Sequence, residues 1–506
     1  MSNVLEADVI IIGGGASGIT AAVAAAEKDA SVILLEKGST TGGAANMGMG
    51  IFAVESKYQK AQLVDFTKED AFNLLMNYTH WRVDARLVRK YIEQSSDTID
   101  WIETMGVEFL GAYKYFEKST QTWHVVKTQG SNAPAERAAS NMFRALTERA
   151  EELGVEIMYN TKATQILKDD DGFVTGVELV GEDGVTKTAE CNAVIVATGG
   201  FGDNPKMIRE MLGYEWGSDL HSFRIPGVQG EGLNMLWEVG AGKTEPTMEL
   251  TFTTPGVTDV FKTISETMRQ PNLMVNLDGH RFINEEIMNN TVYTGNAISL
   301  QREKAAFTII DDSILETYRK TGLDYVTVHH NVKTVEKWDK ELESYLKGEG
   351  IEAGGLSELH NKDQKHQRHV FAVDSLDELC EVTGIHLENL QQTIEDYNKG
   401  CAESDDMFFK KHKYMKPLKG GKYYVARHYP AGYGSLGGVK TNDNMEVLDA
   451  KGIKIPGLYA SGTDACNIYG DSYCFFLPGN TMSFAVNSGR IAGYSAVDFM
   501  DSDEFN

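Results

Sequence analysis

The chain has 506 residues, 50 of them glycine, five cysteines and a formal net charge of −25. That charge excludes nucleic acid, whose phosphates demand a basic surface, and is read as a solubility feature. A chain this long divides into at least two domains, and glycine at about a tenth against a typical ~7% points to an α/β protein with loops that approach a ligand.

An apolar strand, Val9-Ile10-Ile11-Ile12, runs into Gly13-Gly14-Gly15-Ala16-Ser17-Gly18, an Ala-rich helix follows, and Glu36 closes the next strand. Gly13 permits the tight turn, Gly15 lets backbone approach a pyrophosphate at the helix N-terminus, and Gly18 lets the helix pack close to the sheet. Glu36 is placed to accept from a ribose 2′-hydroxyl, so the segment reads as a dinucleotide site. The stretch 9–26 carries no charge and is nearly long enough to cross a bilayer. Its glycines, Ser17 and Thr20 interrupt the apolar run, and Glu6 and Asp8 stand where a signal peptide needs a basic start. The expectation is a soluble protein without a membrane span.

A Gly-rich loop at 41–48 precedes helical patterning at 84–104 and 133–153. Strands are expected at 155–159, at 165–167, in a hairpin around Gly181-Glu182-Asp183-Gly184, and at 194–197, where Thr198-Gly199-Gly200 follows. From Lys243 glycines thin out and charged helices are expected at 335–346 and 376–400, with an exposed polar loop at 347–367. Around Tyr424 the Gly-rich pattern of the first half returns, with Gly434, Gly437, Gly438, a strand at 457–460 and a closing helix at 480–499. The fold class is therefore α/β: an interrupted Rossmann-like domain, 1–243 and 431–506, with an α+β domain, 244–430, inserted. Cys191, Cys380, Cys401, Cys466 and Cys474 show no CxxC or CxxCH spacing, so no metal, haem or iron–sulfur site is encoded and a reducing cytoplasm is expected. Cys474, among aromatic residues, is either a buried apolar thiol or a reactive one.

Over nearly its whole length the chain resembles the flavoprotein family of fumarate reductase and succinate dehydrogenase, which includes the 3-ketosteroid dehydrogenases and urocanate reductase. The likeness rests on 13–18 with Glu36, 41–48, 197–201, Gly230-Glu231-Gly232, 275–285 and 456–462. It implies FAD, a capping domain over the flavin, and hydride exchange with a C–C bond activated by an electron-withdrawing neighbour. The FAD contacts it implies are Gly13, Gly15, Ala16, Ser17 and Gly18; Glu36 and Lys37; Gly42, Gly43, Ala44, Asn46, Met47 and Gly48; Ala163; Thr198, Gly199 and Gly200; and Glu231, Gly462 and Thr463. The start of the last helix, Asn480, Thr481, Met482 and Ser483, would add positive potential beside the flavin.

The catalytic positions depart from the fumarate pattern. Asn289 stands where fumarate reductases have an arginine, Tyr433 and Gly434 replace a His-His pair, and Tyr473 replaces an arginine that clamps a carboxylate, with Cys474-Phe475-Phe476 as a short insertion. A dicarboxylate desolvated without cations would cost several kcal/mol, so fumarate and succinate are poor substrates. Tyr473 resembles the ketosteroid dehydrogenases instead, although those have a tyrosine where Asn289 stands. Asn289 can donate a hydrogen bond to a carbonyl but cannot serve as an acid. Glu266 and Arg269 keep the spacing of the fumarate reductase proton relay, or else form a structural salt bridge.

Tyr429, Tyr433, Tyr469 and Tyr473, with Phe475 and Phe476, crowd the C-terminal segment. Each aromatic is core by default, and together beside Gly-rich turns they point to a pocket for a flat or cyclic molecule. Tyr473 is the candidate for proton transfer and Tyr433 for carbonyl polarisation, with His428 as the alternative acid. The expected activity is reduction of a C=C bond conjugated to a carbonyl in an apolar cyclic or aromatic small molecule. No haem or FMN domain is encoded, so a separate electron donor or acceptor is expected. A ketosteroid-type dehydrogenase and a non-catalytic electron-transfer subunit are the alternatives.

Overall fold

The computed structural model describes residues 5–221, 225–258, 260–349 and 368–502. These fall into two compact units. One comprises Met1–Leu212, Pro226–Met248 and Gly434–Asn506, the other Gly213–Ile225 and Glu249–Tyr433. The short piece Gly213–Ile225 thus groups with the inserted segment, a long-range pairing that its local composition does not encode.

The first unit is built on a six-stranded sheet in the order Glu446–Leu448, Lys454–Ala460, Ala193–Val196, Val9–Ile12, Val32–Leu35, Glu156–Met158. The inner strands run parallel, Val9 level with Ala193 on one side and with Val32 on the other. Strands buried on both faces need continuous apolar runs, and Val9–Ile12, Val32–Leu35 and Ala193–Val196 are buried at every position. Helix Ala16–Ala26 is buried throughout, and its glycine and alanines let neighbouring backbone come close. A Cβ on Gly489 would lie 2.1 Å from Ser17 O and one on Gly493 2.5 Å from Ala21 O, so the closing helix Asn480–Met500 crosses it at backbone contact. A four-stranded sheet (Leu5–Glu6, Thr186–Glu190, Val174–Val180, Lys162–Lys168) and a three-stranded one (Gly50–Phe52, Trp123–Val126, Phe109–Tyr113) complete the unit.

In the second unit, strand Ala306–Asp311 pairs antiparallel with Leu273–Asn276 on one side and with Tyr423–Leu436 on the other. Val370–Val373 also pairs with Tyr423–Leu436. Helices including Asp312–Thr321, Trp338–Leu346 and Leu387–Glu403 bury Leu315, Tyr318, Trp338, Leu342 and Ile394 in one apolar core with this sheet. The helix expected at 376–400 is two, Leu376–Thr383 and Leu387–Glu403, because Gly384 adopts a left-handed φ of 78° and ends the first. Of the polar stretch at 347–367, residues 350–367 lie outside the described residues. No helix among the described residues is long and apolar enough to cross a membrane.

Candidate active site and cofactor cradle

Within the first unit the residues expected around a dinucleotide converge on the start of helix Ala16–Ala26. Gly13 adopts φ 103°, and a Cβ there would lie 2.5 Å from Ala197 O. A Cβ on Gly18 would lie 1.8 Å from Gly13 O, whereas one on Gly15 would meet nothing within 4 Å. Two glycines are therefore demanded by packing, and Gly15 faces open space where a ligand can approach. Gly15 caps the helix with no side-chain hydrogen bond, so the first amides keep their capacity for an anion. Gly42 N donates to Gly14 O at 2.8 Å, which brings the turn Gly43–Met47 beside the glycine loop. Ala44 is exposed there, and Asn46 Nδ2 holds the turn through Thr41 O at 2.8 Å. Met482 sits against Gly48, joining that loop to the closing helix.

Glu36 accepts from Gly14 N at 2.7 Å and from Gly38 N at 2.6 Å, one on each carboxylate oxygen, and retains lone pairs for a hydroxyl. Lys37 and Lys162 both pair with Glu231, the latter at 2.8 Å, next to buried Ala163. On the far side, Asn480 is capped by Gly479 at φ 81° without a side-chain bond. Asn480 Oδ1 accepts from Tyr91 at 2.6 Å and Ser483 donates to Phe52 O at 2.7 Å, but Asn480 Nδ2, Thr481 Oγ1 and Ser461 Oγ are buried and have no partner. Orphaned polar atoms and two uncapped helix starts in one unit fit a large polar cofactor, so these residues are suited to hold FAD.

Sequence reasoning missed Asp464. It is fully buried and accepts from Thr198 N (2.5 Å), Thr198 Oγ1 (3.0 Å), Gly199 N (3.1 Å) and Gly200 N (2.8 Å). Burial pushes its carboxyl up and the four donors pull against that shift. Gly199 and Gly200 adopt φ 90° and 80°, and the carboxylate holds this turn beside Thr463. The signal was a lone acid after a buried strand, Ser461-Gly462-Thr463-Asp464, which spacing alone does not connect to residue 198.

Tyr473 also lies in the first unit and is buried. Its ring centroid is 4.9 Å from Tyr469 and 6.0 Å from Phe475. Phe475 meets Tyr115 at 4.6 Å and Phe116 at 5.7 Å, and Tyr115 meets Trp123 at 5.3 Å. Tyr78 donates its hydroxyl to Tyr473 O at 2.9 Å, and Thr120 donates Oγ1 to Phe476 O at 2.8 Å, so the insertion is fixed at both ends. Cys474 is buried and its thiol is pushed up to about 12 by burial, which makes it an inert packing residue.

The second unit holds the other candidates. Tyr433 is exposed near the end of strand Tyr423–Leu436, and Tyr429 packs on His221 at 4.6 Å and His369 at 5.6 Å. Glu266 and Arg269 do not act as a simple i,i+3 couple. Glu266 Oε1 meets His330 Nδ1 at 2.7 Å, while Arg269 donates Nη2 to Phe252 O at 2.7 Å and stacks 4.6 Å over the Phe252 ring. Half-buried Asn289 ends the turn Glu285–Asn289. Beneath it lies a buried network in which Arg281 bonds Glu285 (2.7 Å) and Asp406 (2.6 Å), and Lys410 lies 3.3 Å from Glu285. His428, expected as an alternative acid, is corrected: it is buried between Thr254 Oγ1 and Thr308 Oγ1, each at 2.8 Å. Burial and, secondarily, Arg269 depress it to about 3, so it is a neutral core residue. No cluster of three or more metal-ligating side chains occurs among the described residues.

A family model described as FAD binding domain matches residues 8–479. The vinyl phenol reductase of Lactiplantibacillus plantarum is 31% identical over 97% of this chain and 96% of its own. A fumarate reductase (cytochrome) of Shewanella frigidimarina is 27% identical over 97% of this chain and 77% of its own. In fold, the structure of 3-ketosteroid-delta4-(5alpha)-dehydrogenase from Rhodococcus jostii superposes with a TM-score of 0.72 at 22% identity, covering 98% of this chain and 97% of that one. The cradle and these likenesses agree: the chain belongs to the FAD binding domain family of fumarate reductase-like flavoproteins and is an FAD-dependent oxidoreductase acting on CH–CH groups.

Proposed function

We propose that this chain reduces a C=C bond conjugated to an aromatic ring or a carbonyl in a flat, largely apolar small molecule, with Tyr473 as proton donor. The observation that carries the reading is the aromatic cluster of Tyr469, Tyr473, Phe475 and Tyr115 at a position where fumarate reductases place a carboxylate-clamping arginine. Similarity to a vinyl phenol reductase along nearly the whole chain supports the same substrate class. Gly13, 15–18, Glu36, Lys37, 42–44, 46–48, Ala163, 198–200, Glu231, 462–463 and 480–483 would hold FAD, which when bound would supply the hydride.

The protein's own part is to exclude water, orient the ring and deliver a proton. Tyr469, Phe475 and Tyr115 offer ring faces and edges that stack on an aromatic substrate, and the Tyr473 phenol provides the acidic hydrogen. Tyr433 and Asn289 are proposed to orient a carbonyl or phenol oxygen by hydrogen bonding. Electrons come from a separate donor.

Holoenzyme reduced anaerobically is mixed with hydroxystyrenes, cinnamate-like acids, cyclic enones, steroids and fumarate. Stoichiometric reoxidation is expected with the aromatic-conjugated alkenes and none with fumarate. Tyr473→Phe keeps the ring and its packing, so stability and flavin content should hold while the chemical step falls at least about a hundredfold. Turnover of fumarate in preference to the alkenes refutes the substrate class, and an undiminished Tyr473→Phe rate refutes the donor.

A further inference from the structure

Within the first unit, helix Ala85–Glu103 and the closing helix Asn480–Met500 face each other along a polar seam. Helical spacing places its members: Tyr91 and Thr98 share one face of the first helix two turns apart, and Asn480 and Asn487 do the same on the second. Thr98 Oγ1 donates to Asn487 Oδ1 at 2.7 Å, and Asn487 Nδ2 donates to Ser483 O at 2.9 Å, so that amide is used at both ends. Asn480 is matched at one end only. Its Oδ1 accepts from the Tyr91 hydroxyl at 2.6 Å, while Nδ2 is buried without a partner.

Tyr91 fixes the direction of the Asn480 amide. Its ring is buried and packs against Phe52 and Phe484, each with its centroid 5.6 Å away. Burial lifts the phenol well above its ordinary value, so it stays a neutral donor at every accessible pH. A phenol has one hydrogen, and giving it to Oδ1 turns Nδ2 away from Tyr91. The flipped amide would set Nδ2 against the phenol oxygen and leave that hydrogen only Asn480 O, at 3.3 Å. Beside Nδ2 at the same helix start, Thr481 Oγ1 is also buried without a partner, and Gly479 leaves the first amides without a side-chain cap. Together these groups call for an acceptor from outside the chain.

We infer that Tyr91 is a positioning residue that acts through Asn480: by holding the amide N–H toward the bound flavin it favours the reduced form and raises the reduction potential of the cofactor. Reduction places negative charge on the flavin ring, so a fixed N–H donor stabilises the reduced state more than the oxidised one. The helix N-terminus acts in the same direction. This role rests on the placement of FAD at the start of helix Asn480–Met500 proposed above and is independent of the substrate.

Midpoint potentials of FAD in wild-type and variant holoproteins, from anaerobic titration against a reference dye, provide the test. Tyr91→Phe keeps both ring contacts and removes only the hydroxyl. It should weaken binding of reduced relative to oxidised flavin about tenfold, a fall of about 30 mV for a two-electron couple. Asn480→Ala should lower the potential by a similar amount, and Asn480→Asp, which puts a carboxylate in place of the donor, by more. The double variant distinguishes positioning from packing: Tyr91→Phe should change nothing further once Asn480→Ala is present. A Tyr91→Phe potential equal to or above that of wild type, or additive falls in the double variant, overturns the inference. If either single variant does not retain flavin, wild-type holoprotein carrying isotope-labelled asparagine decides by NMR: the Asn480 side-chain amide protons must shift when the flavin is reduced, and unmoved resonances overturn the inference. An Asn480→Ala holoprotein with the wild-type potential refutes the placement of the flavin at this helix, whereas a lowered one beside an unchanged Tyr91→Phe refutes only the role of Tyr91.

Discussion

Removing the Asp464 carboxylate tests whether one buried acid holds the glycine turn of the cradle. Asp464→Ala strands the buried Gly200 N and the part-buried Thr198 N and Gly199 N, together with the Thr198 hydroxyl. A stranded buried amide costs ~1–3 kcal/mol and a part-buried one less, so the three together amount to ~3–6 kcal/mol. The carboxylate's own desolvation, the cause of its raised pKa, is relieved by the change and offsets part of this, leaving ~3–5 kcal/mol. With a urea slope of ~3 kcal/mol/M the midpoint should fall by at least about 1 M. Asp464→Asn distinguishes hydrogen bonding from shape. It keeps one acceptor oxygen but turns an NH2 group toward amide donors, so it should still lose ~2 kcal/mol. Urea unfolding followed by tryptophan fluorescence gives the stability, and flavin absorbance of the purified protein gives cofactor retention, which should fall in both variants. An Asp464→Asn protein within ~0.5 kcal/mol of wild type, with full flavin, would refute the clamp.

A methyl group at Gly18 has no room, since its Cβ would lie 1.8 Å from Gly13 O, so Gly18→Ala should displace the glycine loop and raise the apparent Kd for FAD at least about tenfold. Flavin titration of the apoprotein checks this, and an unchanged Kd would show that the loop does not approach the cofactor. Acid should destabilise the fold through its buried neutral histidines, because burial depresses His124 and His221 to about 4 and His369 and His428 to about 3. The unfolded chain then takes up protons first as pH falls below about 6.5, so stability is intact above that value and declines toward the folded values by about 1.4 kcal/mol per pH unit per histidine. Urea midpoints at pH 7.5 and 5 should show His428→Gln losing about 2 kcal/mol less than wild type over that interval, and equal losses would contradict a neutral buried His428.

The parts of the molecule that were legible from sequence are those whose cause is local. The apolar runs at Val9–Ile12 and Ala193–Val196 form strands buried on both faces, and Gly13 and Gly18 stand where neighbouring backbone leaves no space for a side chain. The break at Gly384 was also local, a glycine between helical runs whose left-handed φ ends the first, but helical periodicity masked it. The tyrosines could not be sorted by proximity in sequence. Tyr469 and Tyr473 pack together with Phe475, which is fixed by Tyr115 and Phe116 from the N-terminal half of the chain, while Tyr429 packs on His221 and His369. The contacts of Glu266 and His428 are likewise made with partners far along the chain, His330 for one and Thr254 and Thr308 for the other.

The polar groups around the glycine loop are paired differently from the buried charged clusters of the chain. Where the chain needs charge for its own packing, as in Arg281, Glu285, Asp406 and Lys410 or in Asp464, partners are supplied internally at hydrogen-bond distance. Around the glycine loop the pattern reverses: helix Ala16–Ala26 and helix Asn480–Met500 begin without side-chain caps, and Ser461 Oγ, Asn480 Nδ2 and Thr481 Oγ1 are buried without partners. Desolvating these atoms with nothing to bond is unfavourable by ~1–3 kcal/mol each, a deficit that a polar cofactor relieves when it binds. The apoprotein should accordingly be less stable than the holoprotein by an amount that grows with FAD concentration, and the increment should shrink in a Thr481→Val variant, which removes one orphan without changing side-chain volume. An equal increment in that variant would mean that Thr481 does not face the cofactor.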